Sequence, residues 1–294
     1  VKVSDSAFPT TKFSKTTVNP RIAIKYELTP SLVLRANVGT GFRAPYGFSE
    51  DLHLCSGSPR VWKSSNLKGE RAISYNLSAD YYAKKYQFSI NIFRTNLKDK
   101  IQFSPADDKV KKFGYSYQWE NVDDAYVQGV ELGAKANLFR NFNAGINWTF
   151  NQGKFKHERA DWSDPNDETV KEFPQRLQYA KDSRNISRFP AMTGDIDLDY
   201  TPGTWTFSLT SSLQGKMYID YNSEDDGATS KIKKTNTFMI FNCRAAKRFG
   251  TCTVYAGAKN IFSYIQDEKH TDDAAFMYAP VYGATWYVGL SVKL

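Results

Sequence analysis

The chain has 294 residues, a net charge of +8 and an aromatic fraction of 15%. Mean hydropathy is −0.54, and no apolar run approaches the ~18 residues of a transmembrane helix. That excludes a helical membrane protein but not a β-barrel, whose outward apolar and inward polar residues average out.

Taken in order, the chain alternates with period two, the mark of strands with two unlike faces. Ile22, Ile24, Tyr26 and Leu28 share one face, and a turn at Thr29-Pro30-Ser31 leads to Leu32, Leu34, Ala36 and Val38. After a long polar loop, Ile73, Tyr75, Leu77, Ala79 and Tyr81 alternate with Ser74, Asn76, Ser78 and Asp80. A turn at Lys84-Lys85 gives Phe88, Ile90 and Ile92, and a loop is expected from about Leu97 to Tyr117. Val130 to Leu138, a turn at Arg140-Asn141 and Ala144 to Phe150 follow, then a charged loop over about 153–188. Ile196, Leu198 and Tyr200 oppose Asp195, Asp197 and Asp199, and past Pro202-Gly203 come Trp205, Phe207, Leu209 and Leu213. A polar loop is expected over about 222–235 before Met239, Phe241, Cys243 and Ala245. A turn at Arg248-Phe249-Gly250 leads into Cys252 to Phe262, where alternation is too poor to assign faces. The last strand places Trp286, Val288, Leu290, Val292 and Leu294 together.

Two deductions follow. Short turns and long loops alternate strictly, so an up-and-down sheet has all its short turns at one rim, as transmembrane barrels do. The second face carries Lys, Arg, Asp, Glu and Asn throughout. Burying those charges in a core would cost several kcal/mol each, so that face lines water or a polar plug and the other meets lipid. The expected fold is all-β: a transmembrane antiparallel up-and-down β-barrel. About eleven strands are counted, half of a plugged barrel of roughly 22.

Four motifs add a family resemblance. Gly41-Phe42-Arg43-Ala44-Pro45 ends one strand, and Asn66-Leu67-Lys68-Gly69-Glu70 opens the next. Tyr117 to Leu138 contains YQWENV followed by GVE, and Ala258-Lys259-Asn260-Ile261-Phe262 precedes the final strand. Together they resemble TonB-dependent outer-membrane receptors, whose "GFRAP" and "NP-x-L-x-PE" boxes match the first two. Both prolines of the second box are missing here.

The resemblance implies that residues 1–294 are the C-terminal part of the barrel of a longer Gram-negative outer-membrane protein. The plug domain and the first barrel strands would precede them. It implies uptake of a large metal chelate (ferric siderophore, haem or cobalamin) energised by the TonB complex through the plug. It implies no catalysis and no resident cofactor. Import of a glycan or peptide with a surface lipoprotein is the alternative within the family; a passive porin or barrel enzyme is the alternative outside it. The positive charge suits an acidic neighbour, either lipopolysaccharide or an anionic ligand. No basic run exceeds Lys231-Ile232-Lys233-Lys234, which argues against nucleic acid.

His53, His157 and His270 all fall in expected long loops. The resemblance makes His53, between the two boxes, a candidate axial ligand for haem iron. Tyr46, Arg60 and Trp62 of the same loop are candidates to stack on or pair with a planar anionic ligand. The plain alternative for each is packing or hydrogen bonding within the loop. Asp195, Asp197 and Asp199 are expected to stack along the lumen wall against Arg or Lys. Asp225-Asp226-Gly227 lacks EF-hand spacing. No Gly-x-Ser-x-Gly, His-Glu-x-x-His or Cys-x-x-Cys is present. Three cysteines, Cys55, Cys243 and Cys252, leave no complete disulfide framework. Cys243 and Cys252 flank a tight turn and either bridge or act as small apolar residues.

Overall fold

The computed structural model describes residues 15–45, 61–63, 67–105, 111–114, 117–157, 184–222, 230–266 and 277–293. Its strands are β1 (Arg21–Thr29), β2 (Leu32–Arg43), β3 (Val61–Lys63), β4 (Glu70–Tyr82), β5 (Tyr86–Pro105), β6 (Tyr117–Phe139) and β7 (Phe142–Phe155). They continue as β8 (Met192–Tyr200), β9 (Trp205–Gln214), β10 (Tyr218–Asn222), β11 (Ser230–Lys234), β12 (Phe238–Phe249), β13 (Cys252–Lys259) and β14 (Thr285–Val292). Eleven of them pair in the order β1-β2-β4-β5-β6-β7-β8-β9-β12-β13-β14, every pair antiparallel. This is the expected meander, with each short turn at one rim and each long connection at the other.

The register fixes the two faces. Outward Leu77, Ile92 and Val288 are 58%, 51% and 81% exposed; on a water-facing surface so broad an apolar sheet face would be an aggregation site. Inward, the polar residues bond across strands. Asn76 donates to Asn37 at 3.0 Å, Asn91 to Glu131 at 2.8 Å and Asn137 to Asn143 at 2.9 Å. Arg35 pairs with Asp80. Asp195 and Asp199 accept from Asn147 and Ser208 at 2.8 and 2.6 Å. Those two aspartates therefore take neutral donors where Arg or Lys was expected, because the residues opposite them in register are Asn147 and Ser208.

At the short-turn rim, outward aromatic rings run from strand to strand. Tyr81 and Tyr86 each lie 6.5 Å from Phe88, Phe139 stacks on Phe142 at 4.7 Å, and Tyr200 and Trp205 flank Phe207 at 6.5 and 5.6 Å. Such a belt belongs at a membrane–water interface, where one end of each ring is apolar and the other wet. From this belt to Gln128, β6 climbs residues 128–139. That is about 37 Å at ~3.4 Å per residue. A tilt of about 40° reduces it to about 28 Å, close to the ~25 Å band of a transmembrane barrel.

Several expectations need correction. The connection drawn from about Leu97 to Tyr117 is shorter, because β5 runs on to Pro105 and β6 begins at Tyr117. Bulges at Leu97, Lys100 and Ile101 keep the two paired. The polar loop at 222–235 contains half of a hairpin, β10 with β11. In β13, Tyr255 faces inward over Gly289 of β14, and Tyr287 covers Gly257 in return; a Cβ at either glycine would overlap the opposing ring. Large aromatics inside and small Val254, Ala256 and Ala258 outside erase the hydropathy contrast. Cys243 and Cys252 are both free. Cys252 pairs with Phe249 and Cys243 with Ala258. Six residues of β12 therefore separate Cys243 from the partner of Cys252, roughly 20 Å at ~3.3 Å each.

Leu132 lies at mid-height on the outward face, opposite Ile90 and Trp148. Leu132→Arg in the full-length protein should cost about 2–4 kcal/mol of folding free energy in lipid. Lys135→Arg on the inward face should cost little. Reversible unfolding into urea in the presence of vesicles measures both, and equal costs would contradict the face assignment.

Candidate functional site

Three of the four sequence motifs meet at the long-loop rim. Arg43 of the first box is the register partner of Glu70 of the second, and their side chains lie 3.9 Å apart. The Phe42 ring packs on Gly69, where a Cβ would overlap it. Glycine at this position thus admits the ring, whereas the resembled box carries proline.

Asn121, from the YQWENV motif, clamps the same place. Its Oδ1 accepts from the Lys68 amide at 2.8 Å, and its Nδ2 donates to the carbonyls of Lys68 at 3.0 Å and Asp99 at 2.8 Å. Glu70 Oε2 accepts the Ile101 amide at 3.0 Å. The second box is thereby tied to the bulge in β5, where Asp99 holds a φ of 54° and its amide donates to Asp124 Oδ1 at 3.1 Å. Asn260, in the fourth motif, does the equivalent work at the end of β13. It is buried with a φ of 51°. Its Nδ2 donates to the carbonyls of Tyr264 at 2.7 Å and Tyr282 at 3.1 Å, and its Oδ1 accepts the Tyr264 amide at 2.9 Å. Asparagine tolerates this left-handed backbone better than most residues.

Beside Asn260, Met217, Phe238 and Tyr278 form a small buried cluster, with Ile240, Tyr264 and Ala279 against it. Phe238 stacks on Tyr264 at 4.8 Å. Gln266 Oε1 accepts the amides of Tyr278 and Ala279 at 3.2 and 3.3 Å. Phe238 and Ile240 share the inward parity of Asn242 and Arg244, so this cluster stands on the inner side of the wall at the long-loop rim. Sequence reasoning missed it, since its members come from the β9–β10 connection, the start of β12 and the β13–β14 connection and carry no local pattern.

Of the residues singled out for ligand contact, Tyr46, His53 and Arg60 lie outside the described residues, as do His270 and Cys55. Trp62 belongs to β3, which pairs in parallel with β6, Trp62 opposite Gln118. β7 ends opposite Ala125, so β3 takes the edge of β6 that β7 leaves free.

His157 is exposed and bonds to Asp123 through both its amide, at 2.7 Å, and its Nδ1, at 3.0 Å. Partial burial pushes the Asp123 carboxyl up. Hydrogen bonds from the His157 amide and ring and the Asp124 amide, with the His157 charge, pull it down, and the net lies below its ordinary 3.8. Among the described residues no group of three or more His, Cys, Asp or Glu could hold a metal ion.

Two outcomes follow from these contacts. Asn121→Ala removes three hydrogen bonds and should cost about 1–3 kcal/mol, read as faster amide exchange at Lys68 and a lower unfolding midpoint. A lowered carboxylate contributes stability that is present above its unfolded value and lost as pH falls through its folded one. Exchange at the His157 amide, normalised to its intrinsic rate, should therefore rise as pH drops below the ordinary carboxylate range, and should be pH-independent in Asp123→Asn.

Comparison with known proteins agrees with this architecture. A family model described as "TonB dependent receptor-like, beta-barrel" matches residues 1–261. The vitamin B12 transporter BtuB of Photobacterium profundum is 26% identical over 266 residues, covering 88% of this chain and 36% of that protein. The ferric enterobactin receptor of Pseudomonas aeruginosa is 27% identical over 151 residues, 45% of this chain and 20% of that protein. In fold, the siderophore receptor PirA from Pseudomonas aeruginosa superposes with a TM-score of 0.62 at 17% identity, covering 92% of this chain and 41% of that one. The chain thus spans about a third or less of the curated relatives it matches, and those relatives are named as transporters and receptors, not enzymes. With the family model matched over most of its length, the chain belongs to the TonB-dependent receptor family.

Proposed function

We propose that this chain is the C-terminal half of the barrel of a Gram-negative outer-membrane receptor, and that the whole protein imports a large metal chelate with energy delivered by TonB. The observation that carries this reading is the two-faced wall joined to family membership: an apolar belt outside, a hydrogen-bonded polar ladder inside, and a pinned mouth at the long-loop end. The N-terminal plug and the remaining strands fill and close the barrel, the long-loop rim faces outward, and the short turns face the periplasm. Relatives named for vitamin B12 and ferric enterobactin support a chelate of a metal ion over a glycan. The net charge of +8 suits anionic chelates.

Titrating the intact receptor with haem, cobalamin and a ferric catechol siderophore tests the reading, with tight binding of one of them expected and binding of none overturning it. His53 separates the ligands. If the cargo is haem, His53→Ala should weaken binding by about 1–3 kcal/mol, as for one polar anchor in a desolvated site, and shift the haem absorption band. His157→Ala should do far less, because His157 is already held by Asp123. With cobalamin or a siderophore as cargo, His53→Ala should be silent.

A further inference from the structure

The inner wall divides by charge. β9, β12, β13 and β14 carry no Asp or Glu at any position. The acids of the wall stand on β1 to β8, and inside the barrel they have partners. Glu27 meets Lys25, Asp80 meets Arg35, and Glu131, Asp195 and Asp199 accept from Asn91, Asn147 and Ser208. Asp197 faces Lys135 across Gly145.

The acid-free strands turn three cations inward. Arg244 and Arg248 share the parity of Asn242 in β12 and lie opposite Gly257 and Thr253. Lys259 shares the parity of Tyr255 and Gly257 in β13 and stands one inward step above Gly257, toward the long-loop end. From Lys259 to Arg244 is thus about 7 Å along the wall, and from Arg244 to Arg248 about 13 Å, at ~3.3 Å per residue. None of the three makes an ion pair among the described residues. The wall around them is low. Tyr255 covers Gly289 and Tyr287 covers Gly257, and Ala246 stands opposite Tyr255. The Arg244 guanidinium rests 4.6 Å over the Tyr255 ring, which holds it without neutralising it.

We infer that this ladder of cations is the path of the imported ligand: an anionic chelate descends the lumen along β12 to β14, from Lys259 past Arg244 to Arg248. Cations without wall carboxylates, set before a low-dielectric lipid-backed wall, draw anions to themselves. Three spaced positions let a ligand with several negative groups engage the next before it leaves the last, as passage through a pore requires. The acidic strands β1 to β8 repel the same ligand, so the path is one-sided. The inference rests on the proposed import of a metal chelate, and it narrows that chelate to one carrying negative charge.

The test gives cells carrying the full-length receptor a radio-iron tricatecholate, haem or cyanocobalamin, and measures unenergised surface binding apart from energised uptake. The receptor should bind the tricatecholate or haem, both of which are anionic. In the ladder variant Arg244→Gln, Arg248→Gln, surface affinity should be unchanged and uptake should slow on the order of tenfold. Arg244→Lys, Arg248→Lys keeps the charge and should restore uptake. The opposite-wall variant Lys25→Gln, Lys135→Gln loses the same charge and should take up like wild type. Unchanged uptake in the ladder variant, equal slowing in the opposite-wall variant, or uptake of uncharged cyanocobalamin alone overturns the path and leaves the import reading standing. Unenergised entry of a large hydrophilic antibiotic through the ladder variant also overturns it, since the cations would then be holding the plug. Binding of none of the three probes overturns the import reading, and this inference with it.

Discussion

In hydrocarbon a backbone amide finds no water, so each strand in the apolar band must have its hydrogen bonds met by its neighbours. That constraint organises the chain. It demands continuous antiparallel pairing, which the eleven strands supply from β1 to β14. It leaves β1 and β14 as edges whose backbone needs further strands. It also frees the side chains from polar duty on the outer face, so Ile92, Val130 and Phe150 stand side by side there without a side-chain donor among them.

The inner face meets the opposite solvent and behaves oppositely. Its Asn, Ser, Glu and Asp residues bond to the residue across the strand rather than to a core, so the wall is a lattice of short local contacts. Outside the band, stability passes to special pins. At the short-turn rim these are aromatic pairs such as Phe139 with Phe142. At the other rim they are single polar residues with several bonds each, Asn121 and Asn260 foremost.

This division separates fold from specificity. The motif residues that carry the family resemblance hold the rim together: Phe42 lies on Gly69, Arg43 beside Glu70, Asn121 around Lys68. The outward cations Arg71, Arg94 and Lys98 continue the lipid-facing parity above the band and take no part in pinning the rim.

Much of this was legible in the sequence, because lipid on one face and polar surroundings on the other impose a period-two contrast that each strand must repeat. The faces of β4, β6 and β9, the five short turns and the strand count follow from that contrast alone. Where it vanishes, only the tertiary structure decides. In β5, Lys98-Asp99-Lys100 breaks the alternation at the bulges, so Lys98 to Pro105 does not announce itself as the same strand; pairing with β6 across the bulges makes it one. In β13, Tyr255 covering Gly289 puts bulk inside and small residues outside. Cys243 and Cys252 flank a tight turn in sequence, yet register sets them six strand positions apart. The roles of Asn121 and Asn260 are likewise set by carbonyls brought from distant segments, and no local pattern of residues encodes such a meeting.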